Sequence, residues 1–251
     1  MNAERVSPGS PRRGRASARA ETRDRIIAAG RELIPGAGQS LPVTAIARHA
    51  GVAIQTIYDQ FGSKGGLLVA VVNDVQRRQG LFEALGDVFR SPTGEEAMRR
   101  MVAATVALWH RAWPYLELLL RSRRIDPVVA KEMDFVDRLR NAHFWAITRR
   151  LADEGRIRDG RTADWAADQA FALTTPTIYE ELVVRRTGTL DAAIETATVA
   201  VLSVILEPGR AAAAPGPPDW PALEASAAAR ARAAGADPGR LAPDWAGSSR
   251  T

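Results

Sequence analysis

Residues 50–68 read AGVAIQTIYDQFGSKGGLL, and residues 43–49 immediately before them read VTAIARH. This stretch predicts two short helices joined by a very tight turn, as in a helix-turn-helix. Ala47 is small enough for the two helices to cross closely, and Gly51 tolerates the positive φ that such a turn requires. Apolar residues stand at the packing positions of both helices, namely Val43, Ile46, Ala50, Val52 and Ile57. No single position is diagnostic, but their joint spacing predicts a DNA-binding unit.

The second helix of this pair carries the side chains of a helix that reads a DNA groove. Its polar residues surround a single apolar Ile57 and are Gln55, Thr56, Tyr58, Asp59 and Gln60. Glutamine can pair with a base edge, and threonine can contact a thymine methyl group. Tyr58 and Lys64 are suited to phosphates, which position a protein without specifying the sequence. Ser63 is predicted to begin the next helix, so the free amides there can also face a phosphate.

Two of these residues have a second interpretation. Asp59 could accept a hydrogen bond from cytosine, but phosphates repel a carboxylate, so it could simply be solvated. Tyr58 could be an ordinary surface aromatic residue, although its place on the reading helix favours a contact with DNA.

Helical periodicity continues on both sides of this stretch, and no segment predicts a strand. We predict a first helix over residues 20–34, ended by the Pro35–Gly38 segment, and a longer helix that opens at Ser63. Later helices are predicted after Ser91-Pro92-Thr93, from Pro114 to Leu120, from the Asp126-Pro127 cap, and over residues 162–186 and 190–206. Pro176 is predicted to kink the helix that contains it. The predicted fold class is all-α, a three-helix helix-turn-helix domain followed by a larger helical domain.

Both ends of the chain lack an apolar period. Residues 1–20 contain five arginines among Ser, Pro, Gly and Ala, which predicts a disordered basic arm. That arm could serve merely to keep the protein soluble. Alternatively, it could reach the minor groove of DNA from its place before the first helix. Residues 208–251 are rich in Ala, Pro and Gly and are also predicted to be disordered, with at most a transient helix over residues 222–234.

Composition narrows the class of protein. The chain has 251 residues, a net charge of +5 and no cysteine, so a disulfide scaffold and a thiol nucleophile are excluded. The positive charge makes an acidic partner such as nucleic acid plausible. The N-terminal segment has no apolar region typical of a secretory signal, and no apolar run is long enough to span a bilayer. We therefore expect a soluble cytoplasmic protein that requires no membrane, metal or cofactor.

The helix-turn-helix resembles that of the TetR family of bacterial repressors. The resemblance covers residues 21–72 and rests on Ile46-Ala47, Ala50-Gly51-Val52, Thr56, Tyr58, Phe61 and Ser63-Lys64. Where the family often has a threonine pair at the start of the second helix, this chain has Leu41-Pro42. Ser40 and Thr44 are therefore expected to contact phosphates. The other residues of the expected DNA-binding site are Gln55, Thr56, Tyr58, Gln60 and Lys64.

The resemblance also implies an effector pocket and a dimer interface in the larger domain. Aromatic residues crowd that domain, and its candidate pocket residues are Trp109, Trp113, His143, Ile147, Phe171, Thr174 and Thr175. His143 could equally be a core histidine with its hydrogen bonds satisfied. The last two helices would form a four-helix bundle between two subunits, although their apolar residues could instead pack within one subunit. The implied division is residues 21–68 for DNA binding and residues 69–207 for effector binding and dimerisation.

The resemblance implies a sequence-specific transcriptional regulator, expected to be a homodimeric repressor that a small-molecule effector releases from a near-palindromic operator in double-stranded DNA. An enzyme is the first alternative, but His49, His110 and His143 are far apart and the chain has no HExxH, GxSxG or glycine-rich phosphate loop. A non-specific architectural DNA binder is the second alternative. The basic arm permits it, whereas the polar and uncharged character of most of the reading helix argues against it.

Overall fold

The computed structural model describes residues 11–38, 40–78, 81–209 and 219–240, and these residues are almost entirely helical. The helices are α1 (Pro11–Leu33), α2 (Val43–Ala50), α3 (Ile54–Phe61), α4 (Lys64–Arg78), α5 (Leu81–Phe89), α6 (Gly94–Ser122), α7 (Pro127–Asp153), α8 (Ala163–Ala172), α9 (Pro176–Tyr179), α10 (Leu190–Ile205) and α11 (Trp220–Ala233). A π-helical turn, Glu180–Arg185, continues α9. The described residues contain one isolated bridge, between Ile157 and Leu206, and no strand. The prediction of an all-α fold is confirmed.

Helices α1 to α4 share one apolar core. Ile26, Ile46, Ile57 and Val71 come from the four helices in turn and are all fully buried. A methyl group on Gly30 of α1 would lie 2.6 Å from Val71 Cγ2, so the absence of a side chain there lets α1 and α4 approach closely. The same core includes three residues of α6, Tyr115, Leu118 and Leu119, which join the N-terminal helices to the larger domain.

The larger domain is built around α6 and α7, the two longest helices. Side-chain caps begin its helices where Thr, Asp and Pro stand in the sequence: the Thr93 side chain accepts from the Glu96 amide, and Asp126 accepts from the Val128 amide. The buried Glu154 carboxylate, after the end of α7, accepts the Gly94 amide at the start of α6 at 2.9 and 3.1 Å. This contact satisfies an amide at the positive end of α6 and fixes the two helices to each other.

The N-terminal end is more ordered than the sequence predicts. Helix α1 begins at Pro11, so the predicted disorder of residues 11–20 is wrong, and residues 1–10 lie outside the described residues. Proline is favoured in the first turn of a helix, and Ala and Arg are good helix formers. The Ser17 hydroxyl donates to Glu21 Oε1 at 3.0 Å one turn further on.

Two prolines act differently from one another. Pro114 does not begin a helix, because α6 runs through it from Gly94 to Ser122. The lost backbone hydrogen bond is offset by burial of the neighbouring Tyr115 and Leu116. Pro176 does interrupt its helix: α8 ends at Ala172, and Pro176 occupies the first position of α9.

The C-terminal segment contains a docked helix where disorder was predicted. Helix α11 packs against α7 and buries Ala227 and Ala231, and Ala236 is buried just beyond it. These small residues let α11 approach α7, and the Arg230 guanidinium lies 2.6 Å from Asp164 and 4.8 Å from the Trp145 ring centroid. The predicted disorder is therefore wrong for residues 219–240. Residues 210–218 and 241–251 lie outside the described residues.

Candidate DNA-binding surface and ligand cavity

The turn between α2 and α3 has the geometry that the sequence predicts. Gly51 has a φ of 66°, and its amide donates to carbonyl groups at the end of α2. The Val52 amide donates to the Ala47 carbonyl at 3.0 Å, which closes the turn. Ile57 is the one fully buried residue of α3, so the rest of this eight-residue helix lies at least partly at the surface.

The outer face of α3 is polar except at its first residue, Ile54, which is 41% exposed. Gln55 and Asp59 are exposed, and Thr56 and Tyr58 are half-buried. The Gln55 side-chain amide donates to Asp59 Oδ1 at 2.9 Å, across one helical turn. Asp59 therefore orients Gln55, a role that sequence reasoning about either residue alone did not identify.

Gln60 faces α1. Its side-chain amide donates to the Arg19 carbonyl at 3.3 Å, and the Arg23 guanidinium donates to the Gln60 carbonyl at 3.3 Å. The Arg23 guanidinium also lies 4.5 Å from the centroid of the Phe61 ring. The N-terminal part of α1 thus fixes the C-terminal end of α3. Sequence reasoning missed both contacts: Arg19 lies in the segment that was predicted to be disordered, and the position of Arg23 on the first helix does not by itself show that it faces α3.

The remaining candidate DNA contacts lie on the elements that flank α3. Ser40 precedes α2, Thr44 lies in its first turn, and Lys64 begins α4; all three are exposed. Arg48 on α2 is exposed as well and adds positive charge to this part of the domain. Helix α4 begins at Lys64, directly after Ser63, and the Ser63 hydroxyl accepts the Gly66 amide at 3.0 Å, which caps the helix.

A partly open cavity of about 60 Å³ lies between α4, α5, α6 and α7. It is lined by Gln76, Leu85, Met101, Ala104, Thr105, Leu108, Trp109, Val136, Leu139, Arg140 and His143. A second cavity of about 50 Å³ shares Gln76, Trp109 and Val136 with the first and reaches Val69 and Asn73 of α4. Helix α4 therefore contacts both the cavities and, through its first residues, the surface around α3.

Two of the seven predicted pocket residues, Trp109 and His143, line the first cavity. Ile147 is fully buried in the core, and Trp113 packs on Tyr179 with ring centroids 5.1 Å apart. Phe171, Thr174 and Thr175 belong to the end of α8 and the segment before α9, and none of them lines either of these two cavities.

The buried residue that sequence reasoning missed is Arg140. Its Nη1 donates to the Thr174 hydroxyl at 3.0 Å and to the Thr174 carbonyl at 3.3 Å. Its guanidinium lies 3.9 Å from the centroid of the Phe171 ring. Burial lowers the pKa of Arg140 to about 10, so the group stays charged at neutral pH. Burial also lowers the pKa of His143 to about 4, which keeps that imidazole neutral.

The last core helices divide their apolar residues between the interior and the surface. Val201, Leu202 and Ile205 of α10 are buried within the subunit. Val199 of α10 and Val184 of the preceding turn are 60% and 43% exposed. Fewer apolar residues are therefore available to contact a second subunit than the sequence alone indicates.

Two further features of the described residues bear on function. None of their helices is long and apolar enough to cross a membrane. Within the same residues, no group of three or more His, Cys, Asp and Glu side chains is placed to hold a metal ion.

The comparisons with known proteins agree with this architecture. Residues 26–71 match the family model described as bacterial regulatory proteins, tetR family. No curated protein sequence matches the chain. The fold is similar to that of a choline-bound protein from Saccharomonospora viridis, with a TM-score of 0.62 and 19% identity over 75% of this chain and 99% of that one.

Two other similar structures are of named regulators. FadR from Bacillus subtilis in complex with stearoyl-CoA has a TM-score of 0.59 and 20% identity over 72% of this chain and 98% of that one. SmeT, the repressor of the Stenotrophomonas maltophilia multidrug efflux pump SmeDEF, has a TM-score of 0.54 and 18% identity over 79% and 99%. Residues 26–71 thus match the N-terminal domain of TetR-family regulatory proteins, and the fold of the chain is similar to the folds of these solved regulators.

Proposed function

We propose that this chain is a sequence-specific transcriptional regulator that binds operator DNA as a homodimer and represses transcription until a small molecule occupies its cavity. The observation that carries this proposal is the outward polar face of α3, held by the tight turn at Gly51 and by Ile57 in the core. Two such helices, one from each subunit, would enter successive major grooves of a near-palindromic site in the cytoplasm.

The proposed contacts divide into two kinds. Gln55 and Thr56 lie on the outer face of α3 and would read base edges and a thymine methyl group. Four residues around them would bind phosphates, namely Ser40, Thr44, Tyr58 and Lys64. Gln60 would act mainly by fixing α1 to α3, because its side-chain amide already donates to the Arg19 carbonyl.

Helix α4 would couple the cavity to DNA binding. Its first residues follow α3 directly, and Val69, Asn73 and Gln76 further along it line the cavities. A ligand shifts DNA affinity only if it binds one conformation of the protein better than the other, and the effect is reciprocal. The choline and stearoyl-CoA complexes of two similar structures support a ligand-binding role for this cavity, and the repressor SmeT supports the direction of regulation.

The test is fluorescence anisotropy of the purified protein on labelled DNA from the region flanking its own gene, with excess random competitor. The proposal predicts binding that survives the competitor and weakens as salt rises, because phosphate contacts release counterions. The Tyr58→Phe, Lys64→Ala double variant should bind at least about tenfold more weakly, since two phosphate contacts are removed.

The alternatives predict other results. Equal affinity for the flanking DNA and for random DNA would indicate an architectural DNA binder. Undiminished binding by the double variant would contradict the assigned contacts. Turnover of a substrate by the pure protein would indicate an enzyme.

A further inference from the structure

The first cavity is apolar except at one point. Leu85, Met101, Leu108, Val136 and Leu139 supply much of its wall, while Gln76, Thr105, Trp109, Arg140 and His143 bring polar atoms. Arg140 is the only charged side chain among the described residues that line this cavity, because burial holds His143 neutral. A molecule that fills the cavity therefore meets apolar walls and one guanidinium.

The hydrogen bonds that Arg140 forms with neighbouring groups all use one of its nitrogens, Nη1. Nη1 is engaged by Thr174, as described above, and by the Phe171 carbonyl at 3.4 Å. Nε is buried and has no hydrogen-bond partner in the part of the chain that the structure describes. Nη2 lies 3.7 Å from Asp137 Oδ1, beyond hydrogen-bond distance. Nε and Nη2 form the edge of the guanidinium that binds a carboxylate through two parallel hydrogen bonds.

Asp137 forms only a long ion pair with Arg140, at 3.7 Å, because its carboxylate is hydrogen-bonded to Arg123. Its Oδ2 accepts from Arg123 Nη1 at 3.0 Å, and Arg123 Nη2 donates to Asp134 Oδ1 at 2.5 Å. These two contacts hold the Asp137 carboxylate toward Arg123. Burying an arginine without a hydrogen-bonded carboxylate is costly, and a ligand that brings one would remove much of that cost.

We propose that this cavity binds a small amphipathic carboxylic acid, with the carboxylate on the Nε–Nη2 edge of Arg140 and the apolar part against the leucine-rich wall. A monoanion fits better than a phosphate, because a single arginine would have to compensate a larger charge away from water. Binding of the acid does not depend on the proposed function. Its role as the effector does rest on that function.

The test is calorimetric titration of the full chain, without DNA, with octanoate, 1-octanol and octyltrimethylammonium at neutral pH. Each of the three probes has a chain of eight carbons, counting the carboxyl carbon of octanoate, and they differ in the charge and size of the head group. Octanoate should bind at least about tenfold more tightly than the alcohol, because only it forms charge-assisted hydrogen bonds with Arg140. Equal or tighter binding of 1-octanol would overturn the proposal. So would a preference for the ammonium probe, which would point instead to Asp137 or to Glu132 in the second cavity.

Variants locate the head group. Arg140→Gln should bind octanoate and 1-octanol with affinities within about twofold of each other, because the charge that distinguishes the probes is gone. The matched control is Arg138→Gln, which removes the same charge from α7 outside both of these cavities and should keep the wild-type preference. If Arg140→Gln keeps the preference for octanoate, the proposal is wrong.

Two further comparisons cover an unfolded Arg140→Gln variant and a failure of the proposed function. If Arg140→Gln does not fold, the three-probe comparison on the wild type still decides between anion, neutral chain and cation. Operator binding is then measured separately with and without octanoate. Selective octanoate binding by a protein that binds no specific DNA would contradict the proposed function alone, whereas specific DNA binding without an octanoate preference would contradict the ligand class alone.

Discussion

Gly65, in the first turn of α4, lies so close to Asp126 that a methyl group on Gly65 would overlap the Asp126 carboxylate. Asp126 is the cap of α7 and accepts the amides of Val128 and Val129 at 2.9 and 3.2 Å. The start of α4, immediately after α3, therefore rests on the connection between α6 and α7. This contact joins the proposed DNA-binding surface to the helices that enclose the cavity.

Gly65→Ala should weaken operator binding on the order of tenfold, because the added methyl group must displace either α4 or the α7 cap. The free energy of unfolding should fall by about 1–3 kcal/mol for the same reason. Anisotropy on operator DNA and urea denaturation measure the two effects. The matched control is Gly36→Ala, where no atom lies within 4 Å of the added methyl group. Wild-type operator affinity in Gly65→Ala would show that this contact does not set the position of α3.

Asp59→Ala should lower discrimination between operator and random DNA by about tenfold, because Gln55 loses the carboxylate that orients it. Affinity for random DNA should rise slightly, since a negative charge near the phosphates is removed. Asp59→Asn keeps an acceptor for Gln55 without the charge, so it should retain most of the discrimination. If Asp59→Ala and the wild type have the same ratio of operator affinity to random-DNA affinity, Asp59 does not orient Gln55 and is simply solvated.

Val199→Glu should convert the proposed homodimer to a monomer, because it puts a charge into the apolar surface that α10 leaves exposed. Light scattering after size-exclusion chromatography measures the mass directly. Ile125→Glu is the control, since Ile125 is 84% exposed and lies between α6 and α7, away from α10 in sequence. A Val199→Glu protein that stays dimeric would place the interface on another surface.

His143 should make the protein less stable in acid. Its pKa is about 4 in the folded protein and about 6.5 when exposed, so the unfolded chain binds the extra proton between these pH values. The stabilisation due to neutral His143 is complete above pH 6.5 and decreases by about 1.4 kcal/mol per pH unit toward pH 4. His143→Gln should lose this part of the pH dependence in urea denaturation between pH 6.5 and 5. Parallel pH profiles of the two proteins would show that His143 does not titrate as assigned.

Local sequence signals were sufficient for the helix-turn-helix. Gly51 and Ile57 each have a single role in that motif, so spacing alone predicted two short helices joined by a tight turn. Local signals wrongly predicted that a helix begins at Pro114. The packing of Tyr115 and Leu116 outweighs the local cost of proline inside α6. Local signals also predicted disorder in place of α11, because the local sequence does not show that its alanines pack against the surface of α7.

The cavity was predicted only in part, because a stripe of residues on one helix does not show what faces it. His143 lies on an apolar stripe of α7 with Val136, Leu139 and Ile147, and Trp109 was identified as one of several aromatic residues. Arg140 lies on the same stripe, one turn after Val136, and a charged residue there was an available signal of a buried cation. Its partners on α8 and beyond are about 30 residues away in sequence, so only the fold brings them together.

The central claim, that α3 reads the sequence of DNA, is tested most directly by selecting binding sites from a random DNA library with the wild type, Gln55→Ala and Lys64→Ala. We expect the wild type to select a near-palindromic site and Gln55→Ala to lose the preference at one base in each half-site. Lys64→Ala should select the wild-type site with uniformly weaker binding, because a phosphate contact carries no sequence information. Failure to enrich any site, or an unchanged preference for Gln55→Ala, would contradict the claim.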